Sequence, residues 1–236
     1  MSKLKEWAAA SLFPRRCACC GAVVSAEKGF CSECEKSLPR ITGEVCPACG
    51  RGKKKCTCKN KSNYYDAIAA PFYFEGNIRL GIHRFKFRRA AYYADAYARE
   101  MSNTVALRFK NVKFDYITEV PSGKRARRER GYNQCELLAR AVSKNTGIPY
   151  EKGILKKIYE TEKQHGLNYY MRQGNLTGVF DSDRPEEIKD KVILLCDDIS
   201  TSGETLNECA KMLWLYGAKN IYCISAALTE MKGEKR

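Results

Sequence analysis

The chain has 236 residues, 44% of them hydrophobic, and carries a formal net charge of +15 at pH 7. That length holds one medium domain and a small one, with enough apolar content for a real core. No apolar run approaches the ~20 residues of a membrane span, and MSKLKEWAAASLFPRR is too weakly apolar for a signal peptide. A cytoplasmic protein without membrane insertion is expected.

Thirteen cysteines in a reducing compartment should be mostly thiols rather than disulfides. Nine of them crowd the first quarter: Cys17, Cys19, Cys20, Cys31, Cys34, Cys46, Cys49, Cys56 and Cys58. Cys17, Cys20, Cys31 and Cys34 form C-x2-C-x10-C-x2-C, and Cys46, Cys49, Cys56 and Cys58 form a second set closed by C-x-C. Paired thiolates on tight turns supply tetrahedral sulfur ligands, the chemistry of structural Zn2+. Two sequential sites are the simplest pairing, while interleaved pairs, or a single occupied set, stay open. Cys19 is a spare, and Cys135, Cys196, Cys209 and Cys223 sit in apolar segments as buried fillers. So short a region cannot bury a sufficient core alone, so metal would supply folding free energy. The expected division is a cysteine-rich zinc-binding module over 1–62 and a second domain over 63–236.

In the second domain, YDAIAAPFYF (65–74) reads as a strand, with Pro71 favouring a sheet edge. Ile78, Ile82 and Phe85 share one stripe of a predicted helix over 78–89, with Arg79, Arg84, Lys86, Arg88 and Arg89 around it as a solvated basic rim. A second helix is predicted over 90–108 and a strand over 114–120. Directly after that strand, Ser122 and Gly123 turn the chain into a basic loop. Lys124, Arg125, Arg127, Arg128 and Arg130 put five cations in seven residues, at a strand end where a concentrated anion would bind Arg forks well. A helix follows over 131–144. Gln164 to Asn175 reads as a loop or short helix near the site, and 221–228 as a buried strand closing the sheet.

Lys191 to Trp214, KVILLCDDISTSGETLNECAKMLW, organises the rest. Val192 to Cys196 is an apolar run without alternation, a strand covered on both faces. From Leu206 the apolar positions adopt helical spacing. Between them, the strand's carboxyl end and the helix N-terminus suit a phosphate, while the Asp197-Asp198 pair suits sugar hydroxyls or a hard cation such as Mg2+. Together they describe a holder for a phosphorylated, metal-bound sugar.

LLCDDISTSGETL resembles the phosphoribosyl-pyrophosphate (PRPP) loop of type I phosphoribosyltransferases. The resemblance implies that Asp197 and Asp198 serve the ribose and Mg2+. Thr201, Ser202, Gly203, Glu204 and Thr205 would cradle the 5′-phosphate. Ser122, Gly123, Lys124, Arg125, Arg128 and Arg130 would then hold pyrophosphate. More widely, LFPRRCACC with its C-x-x-C sets, HRFKF, VPSGKRARRERGYNQ, Q-x7-R-x2-N and LLCDDISTSGETL, in that order, resemble the ComF family of phosphoribosyltransferase-like proteins associated with bacterial competence. This implies an α/β fold: a type I phosphoribosyltransferase-like parallel sheet with helices on both faces, plus a small amino-terminal zinc-ribbon-like module. Gly131, Asn133, Gln134, Gln164, Arg172 and Asn175 match the family's motifs. Glu119 departs from them, because an apolar residue or Pro usually precedes V-P, and an acid there would weaken a pyrophosphate site.

Two functions follow from the resemblance. One is a ComF-like protein of DNA uptake that binds PRPP with Mg2+ and single-stranded DNA, with other competence proteins as further partners. The other is an active phosphoribosyltransferase, of the glycosyltransferase class, moving phosphoribosyl from PRPP to a base or amine in nucleotide metabolism. The intact loop supports the enzyme, whereas the lack of a readable acceptor motif favours the first reading, with catalysis left open. The candidate DNA cations are Arg51, Lys53 to Lys55, Arg84 to Arg89 and Lys124 to Arg130. The last group is assigned to pyrophosphate, and the DNA surface is expected on the zinc module, through Arg51 and Lys53 to Lys55, and on the Arg84–Arg89 rim.

Overall fold

The aliphatic runs at 192–200 and 220–228 become the two long strands of a parallel sheet. In the computed structural model, residues 14–25, 27–58, 62–87, 91–158 and 178–230 are described. Gln164, Arg172, Asn175, Arg88 and Arg89 lie outside them. The strands are β1 (Ala67–Ala69), β2 (Phe72–Tyr73), β3 (Tyr116–Glu119), β4 (Lys156–Lys157), β5 (Phe180–Asp181), β6 (Val192–Ser200) and β7 (Asn220–Leu228). The main sheet has the order β1-β7-β6-β3, with β2 also on β7 and every pair parallel. β4 and β5 form a separate antiparallel pair. As Pro71 suggested, 65–74 lies at an edge, broken there into β1 and β2. β7 does not close the sheet but lies inside it, between β1 and β6.

Among the described residues, six α-helices accompany the strands: α1 (Ser32–Lys36), α2 (Gly76–Phe87), α3 (Ala94–Arg108), α4 (Lys124–Arg130), α5 (Gln134–Thr146) and α6 (Glu204–Leu215). Alternate residues of the central strands feed two cores. Leu194, Cys196, Ile224 and Ala226 pack with residues of α2, α3 and α5 on one face. Ile193, Leu195, Ile221 and Cys223 pack with Leu206, Cys209, Ala210 and Leu213 of α6 on the other. Covering both faces removes any need for polar alternation along the strands. The result is the expected α/β class, a parallel sheet with helices on both faces behind a cysteine-rich amino-terminal segment. Among the described residues, no helix is long and apolar enough to cross a membrane.

The amino-terminal segment repeats one turn. Cys17 N–H donates to Ala22 O at 2.7 Å and Gly21 N–H to Cys17 O at 2.9 Å. Likewise, Cys46 N–H donates to Arg51 O at 2.8 Å and Gly50 N–H to Cys46 O at 2.7 Å. The first turn does not form a separate core, because Cys17, Ala18, Cys19 and Phe30 belong to the cluster beneath α2 and α3. Tyr97 donates its hydroxyl to Ala18 O at 3.0 Å. Gly81 of α2 is what lets the turn approach, since a Cβ there would lie 2.2 Å from Ala18 O.

Candidate functional site

Asp197 and Asp198 lie within β6, not in a loop after it. β7 is long enough to pair the strand onward through Asp197↔Ser225 and Ser200↔Leu228, so the phosphate turn starts only at Thr201. Both acids are buried. Asp197 Oδ1 accepts from Asp198 N–H at 2.8 Å and from the Cys135 thiol at 3.3 Å. Lys86 of α2 pairs with Asp198, with Nζ 2.9 Å from Oδ2. Burial, and then the charge of Asp198, push Asp197 up to about 7, while Lys86 pulls the other way.

The turn leads directly into α6. Gly203 sits at φ +82°, a conformation that side chains resist. No side chain caps the helix there, which leaves its first N–H groups aimed at the site. The Ser202 hydroxyl donates to Glu204 Oε2 at 2.6 Å. The Glu204 carboxylate would repel a phosphate, so its contribution to a cradle is its backbone N–H.

The basic segment leaves the neighbouring strand at the same end of the sheet, since Val120 N–H donates to Cys196 O at 2.9 Å. It is a helix, α4, rather than the expected loop. Seven residues without Gly or Pro between Gly123 and Gly131 suffice for two turns, and Gly131 ends them in the left-handed region. Arg125 pairs with Glu129 at 3.1 Å and Arg127 with Glu136 at 3.0 Å, while Arg128 is exposed. Arg130 donates to Gln134 Oε1 at 2.8 Å. Asn133 caps α5, accepting from Cys135 N–H at 3.1 Å. Ser122 Oγ, Arg130 Nε and Gln134 Nε2 are buried with no hydrogen-bond partner among the described residues, a set of polar atoms suited to an anionic ligand.

Glu119 does not sit among these cations. Its carboxylate accepts from the Tyr150 hydroxyl at 2.8 Å and from Gly153 N–H at 3.3 Å. Burial raises its pKa, which further weakens any effect on a neighbouring anion.

The cysteines gather as two sequential sets, Cys17, Cys20, Cys31 and Cys34, and Cys46, Cys49, Cys56 and Cys58, with the sulfurs of each set within 4.8 Å of one another. Cys20–Cys31 is 3.6 Å, Cys46–Cys58 3.4 Å and Cys49–Cys56 3.7 Å. Tetrahedral zinc with ligands at about 2.3 Å places sulfurs about 3.8 Å apart, so both sets fit the metal. Cys19 joins neither, and burial pushes its thiol up to about 12. Cys135 groups with Asp197 and Asp198, so it is more than a filler. Its burial keeps the thiol neutral, which leaves the two carboxylates as the oxygen ligands that fit Mg2+.

Sequence reasoning missed three side chains here. Lys86 and Arg84 read as rim residues, yet Lys86 holds Asp198 and Arg84 donates to Cys19 O. Arg51 read as a DNA cation but is only 3% exposed. Each contact joins residues far apart in sequence, and only the apolar stripe of α2 hinted which side would face inward.

A double zinc ribbon domain model matches residues 8–64. Along most of its length the chain is similar to Competence protein F of Haemophilus influenzae. The two are 29% identical over 221 residues, 89% of this chain and 96% of that one. It is 27% identical to the DNA utilization protein YhgH of Salmonella typhi, covering 85% of this chain and 91% of the other. It is 25% identical to Competence protein ComFC of Bacillus subtilis, covering 79% and 78%. Among solved structures it is distantly similar to the glutamine PRPP amidotransferase of B. subtilis, with 18% identity, 58% of this chain, 26% of that chain and a TM-score of 0.39. A second such structure is the adenine phosphoribosyltransferase of Thermoanaerobacter pseudethanolicus, with 14% identity, coverage of 65% and 87%, and a TM-score of 0.37.

Proposed function

The chain is a homologue of the competence proteins F and ComFC and of YhgH, and from that premise we propose that it binds PRPP with Mg2+ and single-stranded DNA in DNA uptake or use. One observation carries the PRPP reading: a helix N-terminus without a side-chain cap, opened by Gly203, follows directly on two buried carboxylates. The N–H groups of α6 and the hydroxyls of Thr201, Ser202 and Thr205 would take the 5′-phosphate. Asp197 and Asp198 would take the ribose hydroxyls and the metal. Mg2+, when bound, would offset the charge of the pyrophosphate. Ser122 to Arg130 would hold that group. Lys86 occupies Asp198 in the free protein, so ligand and Lys86 compete for one carboxylate. The division at residue 62 and a cytoplasmic location belong to the same reading.

DNA binding rests on the relatives' names and on the exposed Arg125, Arg127 and Arg128 of α4, which DNA and pyrophosphate would then compete for. Arg51, Arg84 and Lys86 are engaged inside the protein and drop out of the candidate DNA surface. Exposed guanidinium groups track a phosphate backbone, and this makes affinity salt-dependent.

Thermal melting tests the PRPP site. PRPP with Mg2+ should raise the melting temperature of the wild type but not that of the Asp197→Asn, Asp198→Asn double variant. Equal rises in both would place the site elsewhere. Pyrophosphate release in the presence of nucleobases would separate the transferase reading.

A further inference from the structure

The second cysteine set reaches the phosphate turn through one side chain. Arg51 lies between Cys49 and Cys56, and its guanidinium points inward. Nε donates to Thr229 O at 2.8 Å, Nη2 to Thr201 O at 2.7 Å and Nη1 to Cys49 O at 3.4 Å. Thr201 opens the turn after β6. Thr229 follows β7 and donates its own N–H to Ser200 O at 3.0 Å. Arg51 therefore ties the ends of both central strands together where the turn begins. Its backbone is fixed in turn by the cysteine knuckle, since Arg51 O accepts from Cys46 N–H.

Neighbouring contacts run the same way. The Tyr65 hydroxyl donates to Ala48 O at 2.9 Å, and a Cβ at Gly203 would lie 3.4 Å from that hydroxyl. Gly50 is packed so tightly that a Cβ would meet Ile68 O at 2.9 Å. The Tyr73 hydroxyl accepts from Gly52 N–H at 3.1 Å. The knuckle is pressed against the strand ends that carry the site.

The charge of Arg51 needs an explanation. A buried guanidinium is costly unless compensated, yet its three acceptors among the described residues are neutral carbonyls. Arg51 follows two residues after Cys49, a member of the second thiol set, and donates to its carbonyl. A four-thiolate zinc site carries about −2, so zinc held by Cys46, Cys49, Cys56 and Cys58 would supply the missing countercharge.

We propose that Arg51 is a positioning residue that couples metal in the Cys46, Cys49, Cys56 and Cys58 set to the conformation of the Thr201–Thr205 turn. Loss of the metal loosens the turn, and a ligand phosphate held on the turn slows metal loss, because coupling between two sites is reciprocal. The ligand half of this rests on the PRPP reading above, whereas the link between metal and turn does not.

The test uses the full zinc-loaded chain, as wild type, Arg51→Gln and Arg51→Lys. Hydrogen exchange is followed at the amides of Ser202 to Thr205 and, as a control, in α5. Zinc release to a coloured chelator is followed with and without PRPP and Mg2+. In Arg51→Gln the turn amides should exchange about tenfold faster or more, the scale of one lost charge-assisted hydrogen bond, with α5 unchanged. PRPP should slow zinc release several-fold in the wild type and not in the variant. Turn amides exchanging at the wild-type rate in Arg51→Gln would overturn the proposal, as would equal acceleration throughout the chain. If Arg51→Gln fails to fold, Arg51→Lys decides: it keeps the charge but loses the fork, and wild-type exchange in its turn overturns the proposal. If the wild type shows no PRPP effect while the turn amides still respond to Arg51→Gln, the PRPP reading fails and the metal-to-turn link stands.

Discussion

The two cysteine sets share a motif and a hydrogen-bond pattern but face different parts of the molecule. The first meets helices: Ala18 O takes the Tyr97 hydroxyl, Cys19 O takes Arg84, and Phe30 packs 6.0 Å from the rings of both Phe72 and Tyr97. The second meets strand ends, through Arg51, Tyr65 and Tyr73. A knuckle's consequence is thus set by what its outer carbonyls and its intervening residues touch. The first set supports the core, and the second supports the end of the sheet where the candidate site lies.

The largest expected effect comes from emptying the first set. Cys34→Ser should lower the melting temperature of the whole chain by roughly 10 °C or more, because Cys34 belongs to the main core cluster. The sequence alone suggests that the amino-terminal module would unfold while the rest stays folded, but the shared core argues for one transition. Two separate transitions in calorimetry would break the comparison. Cys58→Ser should leave more of the stability in place and instead weaken PRPP binding by about tenfold, within the usual range of coupling between sites. Equal effects of both changes on ligand affinity would also contradict it.

Gly81→Ala probes the first docking without touching a cysteine. A Cβ 2.2 Å from Ala18 O and 2.4 Å from the Tyr97 hydroxyl must displace backbone, at a cost of about 3 kcal/mol. Chemical denaturation would measure it. A neutral result would mean that the knuckle slides freely over α2.

A pH profile sharpens the contrast on the second set's side. Asp197 is raised to about 7 from an ordinary value near 3.8, so the folded chain favours its neutral form. Its contribution to stability is fully present below the unfolded pKa and is lost as pH rises through about 7. Asp197→Asn should therefore flatten the decline in stability between pH 5 and about 8, read from urea melts. Mg2+-dependent PRPP binding should strengthen over the same interval, as the carboxylate charges. A wild-type profile unchanged by the substitution would remove Asp197 as its source.

The smallest effect concerns DNA and asks which cations remain on the surface. Near the second set, Lys53 pairs with Glu44 at 2.6 Å, and Lys55 pairs with Glu230, while Lys124, Arg125, Arg127 and Arg128 of α4 are exposed. Changing Arg125, Arg127 and Arg128 to Gln should make the log–log salt slope of single-stranded DNA binding shallower by about 2 units. An unchanged slope would move the DNA surface to the amino-terminal segment, which the sequence offers as a DNA surface together with the Arg84–Arg89 rim.

Much of this was legible in the sequence. The aliphatic run, the acid pair and T-S-G-x-T fixed a strand, a turn and a helix in that order. The C-x-x-C spacings grouped the thiols as they are found. Errors came where neighbours decide. β6 continues through Asp198 to Ser200 because β7 pairs with it that far. The charge run at 124–130 hid a short helix whose ending glycine was visible at Gly131. Arg51, Lys86 and Arg84 looked like solvated charges because their acceptors lie far along the chain, Thr201 being 150 residues from Arg51. Charge counting treats each cation as surface until burial assigns it a partner.

The most direct test is a crystal structure of the zinc-loaded protein soaked with PRPP and Mg2+. The account predicts the 5′-phosphate on the backbone N–H groups of Gly203 to Thr205, the ribose hydroxyls or metal on Asp197 and Asp198, and Arg51 still bound to Thr201 O. A 5′-phosphate seated on α4 or on the amino-terminal segment, with the Thr201–Thr205 turn empty, would contradict it.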